Sequence, residues 1–557
     1  MALSQTRATR PCLPAALATG AALLACGLFV AVELRALDHR LGFPLDDAWI
    51  HLAFARNLAA GHGLGVDPGE LVAGSTSPLW TAFAAVGVAA PVPDVLWMKL
   101  LGLAFHLGGV LLTWSVSREL GLGTGLSALA TGFTVATGWL AWSALSGMEI
   151  SLFVALTLAG LLLHLRERRR PERPPLSLAV LGVSVLARPE GLLLLGLAWG
   201  DRLLRFRRRP DGALAWHRSG APGATRLRRS LAGLGLAALA FVPVAAFYSV
   251  LGGSPLPTTL AAKTGGGGEG LHPPSLQYLH TALGILFRSL PWAVVLAPAG
   301  ALALVRRLGT RSDAGLLPAL WPVALPLAYS CLTASGGTPL VGNFGRYLFP
   351  LMPWIAILAA LGLEPVATAL RPARTGAPLR RALAAAGVLL VLWPTLADLP
   401  RTAGLYARNL RDVADGDVAM AHWLAKRVPP EAVIATVDLG AMAALLPNPI
   451  LDLVGIADPE VHDHVRRVQA EGGSWQDGVL AFIAEERPDY LVVFPDWLDA
   501  FDRPGTPFRR IHTIRVPGNV TLGRDTLAAY ATPWTRHPLR NAGPPEPRPR
   551  PEEPPTD

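Results

Sequence analysis

The chain has 557 residues, of which 51% are hydrophobic and only 16% are charged, whereas a soluble domain carries about a quarter charged residues. The charges cluster between long apolar runs, which is the pattern of a multi-span membrane protein. The net charge of +9 comes mostly from arginines in short loops, so we interpret it as membrane topology and expect no nucleic-acid partner. The three cysteines form no CxxC or Cys/His cluster, which argues against a zinc site or a disulfide framework.

The apolar segments predict about eleven membrane spans. The first is too long for a typical signal peptide, so we expect an uncleaved span, and residues 78–90 are expected to be re-entrant or interfacial. Loop arginines place the N-terminus in the cytoplasm if 176–200 is a hairpin of two short spans. The segments lie near 13–34, 95–117, 123–145, 150–165, 176–187, 190–200, 230–251, 289–305, 314–334, 345–365 and 382–399.

From about Arg401 the composition becomes that of a soluble domain. Three short apolar runs predict buried strands, and the segments between them predict helices, so we expect an α/β domain. The predicted organisation is a transmembrane domain over 1–399, with 35–77 as its first extracytoplasmic loop, an extracytoplasmic soluble α/β domain over 400–535, and a disordered proline-rich tail over 536–557.

The first loop, Phe43 to Trp80, is far more polar than the sequence around it. Residues 48–60 predict a short amphipathic helix, because their apolar residues recur at a spacing of four. Such a helix would lie along the membrane surface and hold the adjacent Asp46 and Asp47 at the edge of the bilayer.

Two adjacent carboxylates, Asp46 and Asp47, suit two kinds of chemistry. They could deprotonate an acceptor hydroxyl, or they could hold a divalent cation such as Mg²⁺ or Mn²⁺. Repulsion between like charges raises one pKa, which suits a base. Helix capping by Asp47 explains one carboxylate and not both. His51 lies four residues after Asp47 and could add a metal ligand, although a hydrogen bond to Asp47 is the more ordinary interpretation.

Further ionisable residues fall on the same predicted outer side of the membrane. Glu149 could be another carboxylate of the site, or it could favour the start of the next helix. Arg188 and Glu190 could bind substrate or could pair with each other. Lys263 and Arg346 suit an anionic headgroup or phosphate, while snorkelling is the alternative for Lys263. Polar groups at the bilayer edge are costly, so their convergence on one face predicts a site.

A series of short motifs extends from about Leu41 to Tyr530. The motifs are Asp46-Asp47-Ala48-Trp49-Ile50, Phe54-Ala55-Arg56-Asn57-Leu58, Gly61-His62-Gly63, Asp67-Pro68-Gly69-Glu70, Gly74-Ser75-Thr76-Ser77-Pro78-Leu79-Trp80, Ser146-Gly147-Met148-Glu149, Arg188-Pro189-Glu190-Gly191, Pro257-Thr258-Thr259 with Lys263, Gly345-Arg346-Tyr347, Asp438-Leu439-Gly440-Ala441 and Asp452-Leu453-Val454-Gly455. Together they resemble the motifs of the GT-C superfamily, polytopic glycosyltransferases that use polyprenyl-phosphate sugars. The branch that they resemble most contains the terminal arabinofuranosyltransferases of the mycobacterial cell wall.

The resemblance implies an α-helical polytopic glycosyltransferase, hexosyl or pentosyl, and a role for each matched residue. Asp46 or Asp47 would be the general base and Glu149 would support the site. Two departures stand out, because Thr258 and Asp67 both occupy positions where the branch is expected to have Asn. The donor phosphate would be bound by Lys263, Arg346 and Arg188, and the substrate would be contacted by Arg56, Asn57, His51, Glu190 and Tyr347.

The resulting hypothesis is sugar transfer, with inversion, from a polyprenyl-phosphate donor to an envelope glycan, lipid or protein acceptor. It places the enzyme in a bacterial inner membrane and its site on the extracytoplasmic face. The alternatives are a lipid-linked-sugar flippase or transporter and a non-catalytic envelope-assembly protein. A flippase predicts ionisable residues along several spans, whereas here they gather at one face, which favours the enzyme.

Overall fold

The computed structural model describes residues 12–170, 172–204, 206–208, 214–216, 223–259, 272–308, 315–332, 342–369, 377–503 and 505–540. The chain forms two compact units. The membrane unit comprises Met1–Phe43 and Ala73–Ala407, and the C-terminal unit comprises Pro44–Val72 and Arg408–Asp557. Most of the loop that carries the acidic pair therefore belongs to the same unit as the C-terminal domain.

Helices make up most of the described chain, and strands are few. In chain order the helices are α1 (Cys12–Ala36), α2 (Asp47–Ala59), α3 (Pro78–Val88), α4 (Asp94–Glu119), α5 (Thr124–Ala136), α6 (Gly138–Leu145), α7 (Ile150–Arg169), α8 (Leu176–Val185), α9 (Gly191–Leu203), α10 (Gly223–Gly252), α11 (Leu276–Ser289), α12 (Pro291–Arg307), α13 (Leu317–Leu332), α14 (Gly342–Gly345), α15 (Met352–Gly362), α16 (Glu364–Ala369), α17 (Ala377–Val413), α18 (Ala419–Arg427), α19 (Leu439–Leu445), α20 (Glu460–Ala470) and α21 (Trp475–Glu486). The strands are β1 (Phe206–Arg208), β2 (Leu214–Trp216), β3 (Ile434–Thr436), β4 (Ile450–Asp452), β5 (Tyr490–Val493), β6 (Arg509–Arg515) and β7 (Thr526–Ala531).

Each apolar segment predicted from the sequence overlaps a helix. Within the described residues, five helices are long and apolar enough to cross a membrane. Two further pairs, α5 with α6 and α11 with α12, reach that length only as bent spans, with bends of 56° and 111°, which gives up to seven. Helices α3, α8 and α13 are apolar but shorter. The helices are thus those of a polytopic membrane protein, but the predicted count of about eleven spans is not confirmed.

Close helix packing in the membrane unit depends on small residues. A Cβ on Gly300 in α12 would overlap the main-chain oxygen of Leu358 in α15, and a Cβ on Gly362 would lie 2.6 Å from the main-chain oxygen of Leu296. Because lipid tails are as apolar as leucine, helices in a bilayer associate through close van der Waals packing, which glycine permits. The two helices therefore approach backbone to backbone.

The C-terminal unit contains a five-stranded sheet in the order β4-β3-β5-β7-β6. β3 pairs in parallel with β4 and β5, whereas β7 pairs antiparallel with β5 and β6. The three parallel strands are the ones predicted from their apolar runs, and the α/β arrangement is present. The antiparallel pair β6 and β7 was not predicted.

The core of this unit includes residues from the first loop. Phe54 and Val66 are buried in the same cluster as Leu491 and Tyr530 of the sheet. The chain remains packed against the unit as far as Arg540, whose N–H donates to the Arg427 carbonyl oxygen at 2.7 Å. Residues 536–540 of the predicted tail thus pack on the domain, and residues 541–557 lie outside the described part of the chain.

Candidate active site

The acidic pair lies at the start of α2, and its first member is bound by main-chain donors. Asp46 occupies the N-cap position but does not cap α2 with its side chain. Its Oδ2 instead accepts the Gly440 N–H at 2.6 Å, and its Oδ1 accepts the Ala441 N–H at 2.7 Å. Both donors lie in the first turn of α19, which places Asp46 at the Asp438-Leu439-Gly440-Ala441 motif.

Burial raises the pKa of Asp46 to about 6. The hydrogen bonds from Ala441 and Gly440 oppose that rise, and the nearby negative charges of Asp47 and Asp452 add to it. A carboxyl group with a pKa near 6 is mostly ionised at neutral pH and is still basic enough to accept a proton. The environment of Asp46 therefore fits a general base.

Two more carboxyl groups, neither of them predicted as a site residue, lie close to Asp46. Burial, together with the negative charge of Asp46, raises the pKa of Asp417 and of Asp438. Asp417 is fully buried and follows α17 in the π-helical turn Ala414–Val418, while Asp438 directly precedes α19. Asp438 could have been found from the sequence, because it begins a recognised motif at the end of a predicted strand. No sequence feature pointed to Asp417.

Three other predicted site residues lie in α2, within the C-terminal unit. Arg56 donates to the carbonyl oxygen of Ala444 in the last turn of α19. Asn57 donates from Nδ2 to the carbonyl oxygens of Gly65, at 2.9 Å, and Val66, at 2.5 Å, and so fixes the glycine-rich turn. His51 is 7% exposed. Substrate contact by these three residues stays a prediction.

The membrane unit gathers the other predicted carboxylates and arginines. Arg188 Nη1 lies 2.6 Å from Glu149 Oε1, and Arg188 Nη2 lies 2.7 Å from Glu190 Oε1. Glu149 is the N-cap residue of α7, where its charge can favour the start of the helix, and its side chain makes no capping hydrogen bond. The predicted pairing of Arg188 with Glu190 is present, and Glu149 joins it.

Aromatic rings surround this cluster. Tyr329 donates its hydroxyl to Glu190, and the ring of Tyr347 contacts that of Tyr329. The guanidinium carbons of Arg188 and Arg346 lie 4.9 and 5.4 Å from the centroid of the Tyr347 ring. Tyr347 thus links the two predicted phosphate-binding arginines through cation–π contacts, a role beyond that of a membrane-interface residue.

Arg346 is 2% exposed and begins a 3-10 helix directly after Gly345. Its Nη1 lies 3.6 Å from the Met148 sulfur, next to Glu149 in sequence. The backbone before it is left-handed at both Phe344 and Gly345. This turn aims the arginine back toward the Ser146-Gly147-Met148-Glu149 motif.

The remaining phosphate-binding candidate, Lys263, lies outside the described residues. The motif before it is described and is tied to the end of the first loop. The Thr258 N–H donates to the Ala73 carbonyl oxygen at 3.0 Å, and the Thr259 hydroxyl donates to the Gly74 carbonyl oxygen. The threonine at 258, where Asn was expected, thus makes a main-chain contact that does not depend on its side chain.

No group of three or more histidine, cysteine or acidic side chains in the described residues is arranged to hold a metal ion. Asp46 also has both carboxylate oxygens engaged by N–H donors. A divalent cation at Asp46 and Asp47 therefore stays a hypothesis without a preformed ligand set among these residues.

The membrane unit also contains a buried ionic cluster that was not predicted from the sequence. Lys99 Nζ lies 3.0 Å from Glu33 Oε1 and donates to the Leu145 carbonyl oxygen at 2.7 Å and to the Tyr406 hydroxyl at 2.8 Å. Glu33 Oε1 also accepts the Gly42 N–H at 3.0 Å, at the entrance to the first loop. The available signal was one charged residue inside each of two long apolar segments.

Comparison with known proteins identifies the fold. Residues 404–536 match a domain of unknown function, DUF8728, and no curated protein matches the sequence. ArnT from Cupriavidus metallidurans in its apo state has a TM-score of 0.56 at 16% identity, over 92% of this chain and 98% of that one. The same protein bound to undecaprenyl phosphate has a TM-score of 0.53 at 15% identity, over 93% of this chain and 97% of that one.

The archaeal oligosaccharyltransferase AglB from Archaeoglobus fulgidus, solved with an inhibitory peptide and a dolichol-phosphate, has a TM-score of 0.55 at 12% identity. That match covers 90% of this chain and 73% of AglB. The arabinofuranosyltransferase AftD from Mycobacteria matches at 0.47 and 17% identity, over 93% of this chain and 40% of that one. The ArnT and AglB matches show that the chain has the GT-C fold that its motifs predicted.

Proposed function

We propose that this protein is a membrane glycosyltransferase that transfers a sugar from a polyprenyl-phosphate donor to an envelope glycan, lipid or protein on the extracytoplasmic face. The observation that carries the proposal is a fold shared along 93% of the chain with an ArnT structure that holds undecaprenyl phosphate. A second neighbour, AglB, was solved with a dolichol-phosphate. Both ligands are polyprenyl phosphates, which supports a lipid-linked donor here.

The donor phosphate is assigned to Arg346 and Lys263. Arg346 suits it because a guanidinium makes paired hydrogen bonds to phosphate oxygens. Arg188 is less suited than the sequence indicated, because Glu149 and Glu190 already surround its charge. The leaving phosphate is anionic and needs no protonation, so fixed positive charge is what its departure requires.

The acceptor hydroxyl loses its proton to one carboxylate of the pair Asp46 and Asp47 as its oxygen attacks the anomeric carbon. The bond between the anomeric carbon and the phosphate oxygen breaks in the same step, the polyprenyl phosphate leaves with that electron pair, and the product is inverted at that carbon. The pKa of about 6 for Asp46 supports its use as a base at neutral pH. The alternative use of the pair, as ligands for a divalent cation that assists the leaving phosphate, predicts loss of activity in EDTA.

The test is sugar transfer in proteoliposomes with a panel of polyprenyl-phosphate hexoses and pentoses. Wild-type protein is compared with Asp46→Asn, Asp47→Asn and the control Asp463→Asn, a carboxylate that is 63% exposed. We expect transfer or slow donor hydrolysis that disappears in one variant of the pair and persists in the control. The sugar that is accepted decides between hexosyl and pentosyl transfer.

Two results would reject this proposal. If both variants transfer sugar as the wild type does, the acidic pair takes no part in the chemistry. If no donor is turned over but lipid-linked sugar moves between the leaflets, the protein is a flippase.

A further inference from the structure

We propose that the C-terminal unit is part of the catalytic apparatus, and that Gly440 is a positioning residue whose main chain fixes the carboxylate of Asp46. This inference rests on the proposed function. It assigns a role to residues 404–536, a region that matches a domain of unknown function.

The first loop is attached to the C-terminal domain by three side chains, each of which binds a main-chain group. Asp46 accepts from the N–H groups of Gly440 and Ala441, and Arg56 donates to the Ala444 carbonyl oxygen. Asp67 Oδ2 accepts the N–H of Ile450, in edge strand β4, at 3.0 Å. The loop is thus held at both ends of α19 and at the next strand, and its position depends on the fold of the domain.

Asp46 binds the start of the helix that follows the carboxyl end of a parallel strand, β3. α19 follows β3, which lies between β4 and β5 in the parallel part of the sheet. In open α/β sheets, ligands bind beyond the carboxyl ends of the strands, at the point where the strand order reverses. Here that edge receives the carboxylate of the first loop, so the domain uses its ligand-binding edge to hold a residue of the proposed catalytic pair.

Gly440 is the residue at which this attachment can be tested. A Cβ on Gly440 would lie 2.6 Å from Asp46 Oδ2 and would overlap the Asp46 main-chain oxygen. Alanine is otherwise favourable within a helix. The substitution Gly440→Ala therefore displaces Asp46 without weakening α19 itself.

Ala441→Pro provides a second, independent variant. It removes one N–H donor to Asp46 and no hydrogen bond of α19, because N–H groups in the first turn of a helix have no partner within the helix. The control is Gly404→Ala in α17, where an added Cβ meets no atom within 4 Å.

Loss of the N–H groups of Gly440 and Ala441 as donors should change the pH dependence of the rate. Among the described residues, the charged groups that act on Asp46 include Asp47, Asp452, Asp417 and Asp438, and all four are acidic. The two N–H groups are what oppose burial and this repulsion. Without them the pKa of Asp46 rises, so the acidic limb of the rate profile moves to higher pH.

The experiment uses the full-length protein in proteoliposomes, with the donor accepted in the transfer assay and with hydrogen exchange of residues 44–72. We expect kcat to fall roughly 100-fold in Gly440→Ala, as for a displacement of about 1 Å at a reacting group. KM should change much less. We also expect an acidic limb at higher pH in both variants, faster exchange in 44–72, and wild-type behaviour in Gly404→Ala.

Three results separate the possible failures. Wild-type kcat and exchange in both variants would overturn the positioning role. A fall in kcat with an unmoved pH limb would also overturn it, whatever the exchange rate, because a merely destabilised protein has fewer active molecules with the same pH profile. No transfer by the wild type with any donor would reject the proposed function and the inference together.

Discussion

Arg188 lies between two carboxylates, with Nη1 2.6 Å from Glu149 Oε1 and Nη2 2.7 Å from Glu190 Oε1. The Arg188 and Glu149 side chains are 5% and 4% exposed, and that of Glu190 is 14% exposed. One cation thus serves two buried anions that come from separate sequence motifs. The arginine holds Glu149 in place more directly than it could attract a phosphate.

Replacement of Arg188 by methionine should destabilise the protein strongly. The change leaves two carboxylates in a buried setting without their cation, and breaking a buried ion pair in this way costs about 3–5 kcal/mol. Thermal unfolding of the purified protein in detergent measures the effect. The control is Arg503→Met, which breaks a pair with Asp499 whose side chains are 65% and 62% exposed and should cost about 0.2–1 kcal/mol. Equal shifts for both variants would contradict the prediction.

The buried pair of Lys99 and Glu33 predicts a different pattern. Lys99→Met alone leaves Glu33, which is fully buried, without a cation and should cost about 3–5 kcal/mol. Adding Glu33→Gln to the same protein should recover most of that loss, because no buried charge then remains. Unfolding temperatures of the single and double variants provide the comparison. A double variant no more stable than Lys99→Met would contradict the prediction, because the glutamine amide oxygen can still accept the Gly42 N–H and only the charge is removed.

Local signals predicted the helices of the membrane unit and the parallel strands of the sheet. A helix or strand that is surrounded by apolar groups on all sides appears in the sequence as a continuous apolar run. The segments predicted from such runs overlap the observed elements. Strand β6 gave a weaker pattern, because it lies at the edge of the sheet and only one of its residues is buried. Its partner β7 is buried at five of its six residues and was missed all the same.

Long-range partners could not be predicted from one sequence. Asp46 binds N–H groups 394 and 395 positions away, and Lys99 binds a tyrosine 307 positions away. Neither partner has a fixed spacing, because the contact depends on how distant elements pack. The motifs predicted which residues were candidates, and the structure shows that Arg56 and Asn57 also have partners within the C-terminal unit.

The stability of the C-terminal unit should fall as pH rises from about 4.5 to 8. Burial raises the pKa of Asp46 and Asp67 to about 6 and that of Asp458 to about 7. The folded state therefore keeps protons that the unfolded chain releases near pH 4. The stabilisation that comes from keeping these protons is complete below the pKa that the carboxyl groups have in the unfolded chain. It is lost as the pH rises through their folded-state pKa values of about 6 to 7. Asp489, whose pKa is lowered, affects stability only at pH values below this range.

Hydrogen exchange of strands β3 and β5 at pH 5 and pH 8, corrected for intrinsic exchange rates, measures this dependence. Asp458→Asn should reduce it, because the amide oxygen can still accept the Asp452 N–H, which now donates to the Asp458 carboxylate at 2.6 Å. The exposed control Asp463→Asn should leave it unchanged. Greater protection of these strands at pH 8 than at pH 5 would refute the prediction.

Asp67 provides the most specific test, because asparagine was expected at its position. Its Oδ2 accepts the N–H of Ile450 at 3.0 Å, and burial and the charge of Glu70 raise its pKa to about 6. Asp67→Asn keeps an acceptor and removes a charge that the site disfavours. The variant should be more stable than the wild type at pH 8 and nearly equal to it at pH 5.

Asp67→Ala separates the hydrogen bond from the charge. It leaves the Ile450 N–H without its acceptor and should cost about 1–3 kcal/mol at pH 5, where the wild-type carboxyl group is mostly protonated. Exchange of the Ile450 amide should be accelerated in Asp67→Ala and not in Asp67→Asn. If asparagine destabilises the unit at pH 8, the negative charge of Asp67 must have a favourable partner, and the raised pKa would be incorrect.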